Sequence, residues 1–115
     1  MSKTAWRARA TVAGLALLGS TAQAADADAL AQGKALFDTR CNICHATGQM
    51  GTLMLARRVG QENALLANRT QVPEALVEHV VRNGINSMPV FTRVELTDAE
   101  LKLVAAYLGR PAQAK

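Results

Sequence analysis

Along the chain, apolar positions recur at helical spacing, and no stretch alternates cleanly enough to form a half-buried strand. A first helix is predicted from Asp26 or Asp28 to Thr39. Its aspartates suit the first turn, and Leu30, Gly33 and Phe37 share one face. A short helical piece is expected over Gln61–Ala67. A further helix opens at Pro73, aligns Leu76, Val77, Val80 and Val81 on one side, and ends at Asn83-Gly84. The last helix has the strongest signals. Thr97 and Glu100 form a capping box, Leu101, Val104, Ala105 and Leu108 make the apolar stripe, and Gly109 followed by Pro111 ends it. The span Ile85–Leu96 holds Met88-Pro89 and Phe91 but few helix signals, so it reads as a loop whose apolar contents pack against something. The expected fold class is all-α, with about three to four helices and loops wrapped around one interior feature.

Ahead of this pattern lie Lys3, Arg7 and Arg9, the apolar run Val12–Leu18, and then Ala22-Gln23-Ala24, small residues where a signal peptidase cuts. Residues 1–24 are therefore expected to be a cleaved secretory signal peptide, and 25–115 a single domain with a loose tail over 110–115. The run is too short for a membrane anchor, which needs about 20 apolar residues. Ala8 separates the two arginines, which favours the general secretion route over the twin-arginine one.

Composition alters the picture in two ways. The 115 residues carry 13 Lys+Arg against 9 Asp+Glu, a formal charge of +4. Three of the cations leave with the leader, and the near-neutral remainder is too weakly charged to bind nucleic acid by counterion release. Trp6 leaves too, so Phe37, Phe91 and Tyr107 supply the aromatic core. A domain this small and poor in large aromatics gains from a covalent staple, a metal or a large apolar cofactor.

The candidate chemistry lies in Cys41-Asn42-Ile43-Cys44-His45. In a Cys-x-x-Cys-His segment the two thiols can add across the two vinyl groups of haem while the adjacent imidazole reaches the iron from one face. An exported chain also reaches the compartment where bacteria attach c-type haem. A structural zinc site needs four ligands, and only His79 is left to join these three. A thioredoxin-like dithiol follows a strand, whereas this pair follows a helix. A structural disulfide would close a very short loop and leave His45 unexplained.

The sixth coordination position decides between an electron carrier and a ligand-binding haem. Met50, Met54, Met88 and His79 are the candidates. Met88 is favoured, since it lies in an irregular loop stiffened by Pro89, from which a thioether can be aimed. Met50 and Met54 follow His45 closely and are expected to line the haem pocket, while His79 reads as a surface or rim residue. If Met88 is not a ligand, the alternative is a five-coordinate haem sensor or peroxidase-like protein; a Cys-x-x-Cys thiol oxidoreductase is the third class.

Together, CNICH, the segment VVRNGINSMPVF and the final ELTDAELKLVAAYLGR resemble the small bacterial class I cytochromes c over nearly all of residues 29–110. The resemblance implies one covalent haem c, with His45 proximal and Met88 distal, and an electron-transfer protein rather than an enzyme. It also implies that the first and last helices cross, bringing Gly33 and Phe37 against Val104 and Tyr107. Members of the family commonly carry a Gly-Pro-x-Leu segment whose proline carbonyl accepts the Nδ1 proton of the proximal histidine. Gly51-Thr52-Leu53 stands there in this chain, which leaves the Thr52 carbonyl as the substitute. Arg57 and Arg58 are candidates for haem propionate contacts or for a solvated helix end.

The short loops and the MPVF segment are similar to those of cytochromes that accompany periplasmic flavoprotein dehydrogenases, such as the cytochrome subunit of the cresol methylhydroxylase group. That likeness implies a periplasmic one-electron carrier, fed by such a dehydrogenase and passing electrons to a downstream cytochrome or oxidase of the respiratory chain. The processed chain is not expected to span a membrane.

Overall fold

The computed structural model describes residues 19–112, and among them the regular structure is helical, with one isolated bridge between Ile85 and Met88 as the strand-like feature. In chain order the helices are α1 (Gly19–Arg40), α2 (Asn42–His45), α3 (Met50–Val59), α4 (Glu74–Asn83) and α5 (Asp98–Gly109). Most of the expected leader, residues 1–18, lies outside the described residues. α1 starts well before the aspartates expected to open it. The run Ala22 to Ala29 is rich in alanine, the best helix former, and holds no breaker, so Asp26 and Asp28 fall inside the helix.

α1 and α5 make the most extensive helix pair, with α4 also packed on α5. A methyl group added at Gly33 would lie 2.1 Å from the Leu103 carbonyl oxygen and 2.9 Å from Tyr107 Cβ. Glycine is required there because two backbones meet. One turn further on, the Phe37 and Tyr107 rings sit 5.6 Å apart at a tilt of 50°. The predicted crossing of first and last helices is therefore present, with Phe37, Leu96 and Val104 fully buried around it.

Local signals explain how α4 and α5 begin and end. Pro73 caps α4, and Gly84, at φ 70°, ends it. At α5 the Thr97 hydroxyl receives the Glu100 N–H while the Glu100 carboxylate accepts from the Thr97 N–H, completing the capping box. The Thr97 N–H and the Thr97 hydroxyl, which both donate to the Glu100 carboxylate at 2.8 Å, hold that carboxyl below the usual carboxylate range. The support this carboxylate gives α5 is thus present above its unfolded-state pKa and lost as pH falls through the lower folded-state one.

Three expectations need correction. Gln61–Ala67 is not one helical piece but two single 3₁₀ turns, Gln61–Asn63 and Leu66–Asn68. α3 carries no strong start signal, since Gln49 makes no side-chain cap, and it was not expected as a helix. Arg110 is not part of a loose tail: it donates to the Tyr107 and Ala67 carbonyls at 2.6 and 2.8 Å and lies 4.3 Å above the Tyr107 ring. Residues 113–115 lie outside the described residues.

Gly33→Ala should lower unfolding stability by about 1–3 kcal/mol through overpacking, and Thr97→Ala by about 1 kcal/mol through loss of a cap. Denaturant unfolding of the haem-loaded protein checks both values. Replacing Glu100 with Gln should also remove part of the acid-side loss of stability.

Candidate functional site

α1 delivers the Cys-x-x-Cys-His segment. The Cys41 N–H donates to the Phe37 carbonyl at 2.9 Å, so the helix that crosses α5 fixes where the segment starts. The Cys41 carbonyl then accepts from both the Cys44 and His45 N–H groups, at 3.0 and 2.9 Å. That single turn puts positions i, i+3 and i+4, namely Cys41, Cys44 and His45, on one side. Among the described residues no group of three or more His, Cys, Asp or Glu side chains is placed to hold a single metal ion.

The surroundings of each donor differ. Cys41 packs against the core, and burial pushes its thiol up to about 11, with a smaller push from Cys44. It is therefore a neutral thiol at neutral pH, the reverse of the lowered thiol of a reactive dithiol centre. Burial also pushes the His45 imidazole below its ordinary pKa, which keeps the ring neutral and able to act as a metal ligand.

α3 packs against the imidazole. A methyl group on Gly51 would come within 3.0 Å of His45 Nδ1 and 2.7 Å of the Cys44 carbonyl, so glycine leaves room for the ring. The expectation that the Thr52 carbonyl accepts from His45 is not met. Thr52 lies inside α3, where main-chain carbonyls serve the helix ladder, and its hydroxyl donates to the Ala46 carbonyl at 2.8 Å. His45 Nδ1 is buried without a hydrogen-bond partner.

Met88 enters from the loop between α4 and α5. Ile85 and Met88 exchange both backbone hydrogen bonds, at 2.9 and 3.3 Å, across a turn in which Asn86 takes φ 51°. Met88 is half-buried and packs on the same core as Cys41, so both ends of the site rest on one base. The other candidates are placed differently. Met50 and Met54 are exposed on α3, and the Met54 sulfur lies 4.0 Å from Arg57 Nη1. His79 is exposed on α4 and receives Asn83 Nδ2 at its carbonyl and, at 3.3 Å, near its Nδ1. Arg57 and Arg58 lie exposed in the last turn of α3.

Apolar burial is uneven across the molecule. The buried hydrophobics come from α1, α4, α5 and the segments that join them, whereas α2 has no buried residue and α3 only Thr52. Most of the large exposed apolar residues, Ile43, Met50, Leu53, Met54, Ile85 and Val90, belong to α2, α3 or the Met88 loop, while Leu76 lies on α4 and Val94 just before α5. Such a set of apolar side chains fits a broad apolar group lying against them. With two thiols and a neutral imidazole beside them, the residues present suit a c-type haem.

Sequence reasoning missed two contributors, Gly51 and Arg82. The first faces His45 only because α3 is a helix, and the second reaches carbonyls nine and more residues away. Gly51 falls in the segment that matches the family's Gly-Pro-x-Leu, but its contact with the imidazole is not legible there, and no local pattern marks Arg82.

The family profile described as "Cytochrome C oxidase, cbb3-type, subunit III" matches residues 28–108. Cytochrome c6 of Cyanidioschyzon merolae is 40% identical over 79 residues, covering 69% of this chain and 71% of that protein. Cytochrome c6 of Leptolyngbya boryana is 39% identical over 82 residues, covering 71% and 91%. The cytochrome c subunit of 4-cresol dehydrogenase [hydroxylating] from Pseudomonas putida is 34% identical over 93 residues, covering 81% and 72%. No solved structure is a significant match. With this coverage, and with an all-α fold that carries two thiols and an imidazole on one turn, the chain belongs to the cytochrome c family, whose members hold a covalently bound c-type haem.

Proposed function

We propose that the protein is a one-electron carrier with one haem attached through Cys41 and Cys44, with His45 and Met88 as axial ligands. The observation that carries this reading is the single turn presenting Cys41, Cys44 and His45 together beside exposed apolar side chains. The bound haem supplies a reversible ferrous–ferric couple. The chain's own residues do the rest: burial keeps His45 neutral, the Met88 loop offers a soft thioether, and the apolar side chains of α2 and α3 exclude water. Thioether and imidazole ligation in such surroundings favours the reduced state.

The proposed setting is the periplasm, reached through the leader at residues 1–24. No described helix is long and apolar enough to cross a membrane. A periplasmic flavoprotein dehydrogenase is the proposed donor, supported by the similarity to a cytochrome c subunit of 4-cresol dehydrogenase, and a downstream cytochrome or oxidase the acceptor. Ile43 and Val90, exposed on α2 and the Met88 loop, offer short-range apolar contact to such partners.

The ligand assignment is tested on the ferric haem-loaded protein. Met88→Ala should abolish the thioether-to-iron charge-transfer band in the far red, while Met54→Ala keeps it; loss of the band in Met54→Ala instead would overturn the assignment. Replacing both Cys41 and Cys44 with Ala should leave haem that acidified solvent extracts from the polypeptide, whereas the unaltered chain retains it. Gly51→Ala provides a test with opposed signs. Alanine inside a helix gains about 0.5–1 kcal/mol over glycine, so a fall in thermal stability and in haem-loaded yield would report the crowding of His45.

A further inference from the structure

Arg82 is the most extensively bonded side chain near the Met88 loop, and the proposed ligand set gives it no role. It projects from the last turn of α4 with its side chain only 17% exposed. Nη1 donates to the Phe91 and Thr92 carbonyls at 3.0 and 3.3 Å, and Nη2 to the Leu96 carbonyl and Asp98 Oδ1 at 2.9 and 2.7 Å. Arg93 Nε meets the other Asp98 oxygen at 2.8 Å, which fixes the carboxylate that Arg82 uses. Nε of Arg82 is buried without a partner, so the guanidinium sits in this place at a cost that its four other bonds offset.

The consequence for Met88 follows from the loop's ends. At one end, Gly84 closes α4, and its Cα lies so near the Met88 carbonyl that a methyl group would stand 2.8 Å from that oxygen. At the other end, both backbone groups of Phe91 are held by consecutive residues of α4: its N–H donates to the Val81 carbonyl at 2.9 Å, and its carbonyl receives Arg82. Met88 lies between these two anchors, only three residues before Phe91. Removing the guanidinium takes away the carbonyl half of the second anchor, leaves the Phe91 and Leu96 carbonyls without that donor, and leaves the Thr92 carbonyl with the Leu96 N–H alone.

We propose that Arg82 is the positioning residue of the Met88 loop, its planar guanidinium holding Phe91, Thr92, Leu96 and Asp98 together so that the thioether keeps its place. This inference rests on Met88 being an axial ligand. A planar fork with several donors suits the task, and a single ammonium does not, so lysine is a poor substitute.

The test uses the ferric haem-loaded full chain and free imidazole, which takes the sixth position only when the loop has opened. Its apparent affinity therefore reports the fraction of open loop. Arg82→Gln should bind imidazole about tenfold more tightly than the unaltered protein, and Arg82→Lys several-fold, with the reduced spectrum preserved in both. Leu108→Ala, which destabilises the far end of α5, should stay within about twofold. If Arg82→Gln and Leu108→Ala shift imidazole affinity equally, Arg82 only contributes general stability and the proposal is overturned. Should Arg82→Gln give no haem-loaded protein, Arg82→Lys against Leu108→Ala decides by the same comparison. Met88→Ala separates the two ideas. If it keeps the far-red band, the ligand reading itself fails and the proposal goes with it; if it loses the band, the imidazole comparison judges Arg82 alone.

Discussion

At Gly33 the backbone of α1 lies so close to α5 that one methyl group would overlap the Leu103 carbonyl, and both halves of the site follow from that contact. From it, α1 runs one more turn to Phe37, stacks that ring beside Tyr107, and hands the Phe37 carbonyl to the Cys41 N–H. The turn carrying Cys41, Cys44 and His45 therefore starts at a position set by a helix crossing. On the other side, α5 begins at Asp98, whose carboxylate receives Arg82 and Arg93 and so joins the start of the helix to the Met88 loop. Thiols and imidazole hang from the end of α1, and the thioether from the loop that α4 and the start of α5 hold.

The second physical theme is the uneven core. α5 buries its apolar stripe against Phe37 of α1 and Val77 and Val81 of α4 and makes a stable base, whereas α2, α3 and the Met88 loop leave most of their large apolar side chains exposed. A small chain with few aromatics cannot fill both sides by itself. In the proposed reading, covalent attachment through the two thiols and burial of a broad apolar group would solve the same problem together, since the group that performs the chemistry would also complete the packing. Folding and function in this chain are for that reason expected to depend on the same side chains.

Much of this was legible in the sequence because it is written locally. The capping box at Thr97 and Glu100, the stop at Gly84 and the Cys-x-x-Cys-His turn each lie within a few residues, and the structure shows each where local rules put it. The stripe Leu30, Gly33, Phe37 likewise marks one face of α1, and the family resemblance supplies α5 as its partner. What stayed hidden depends on tertiary context. α3 has a glycine, a β-branched threonine and no capping side chain, and its placement comes from packing against the Cys-x-x-Cys-His turn. The Thr52 expectation rested on position in the chain alone, and the helix turns that carbonyl to other use. Arg82 resembles any basic residue closing a helix until Phe91 and Leu96 fold back to it.

The central claim is a six-coordinate iron held by side chains of this chain, and an optical spectrum tests it most directly. The protein would be purified from a host that matures c-type cytochromes, reduced with dithionite, and then exposed to carbon monoxide. The account predicts sharp reduced α and β bands that carbon monoxide leaves unchanged, since both axial positions are filled. A prompt carbon monoxide shift would contradict the Met88 ligation, and the absence of a Soret band would contradict the haem itself.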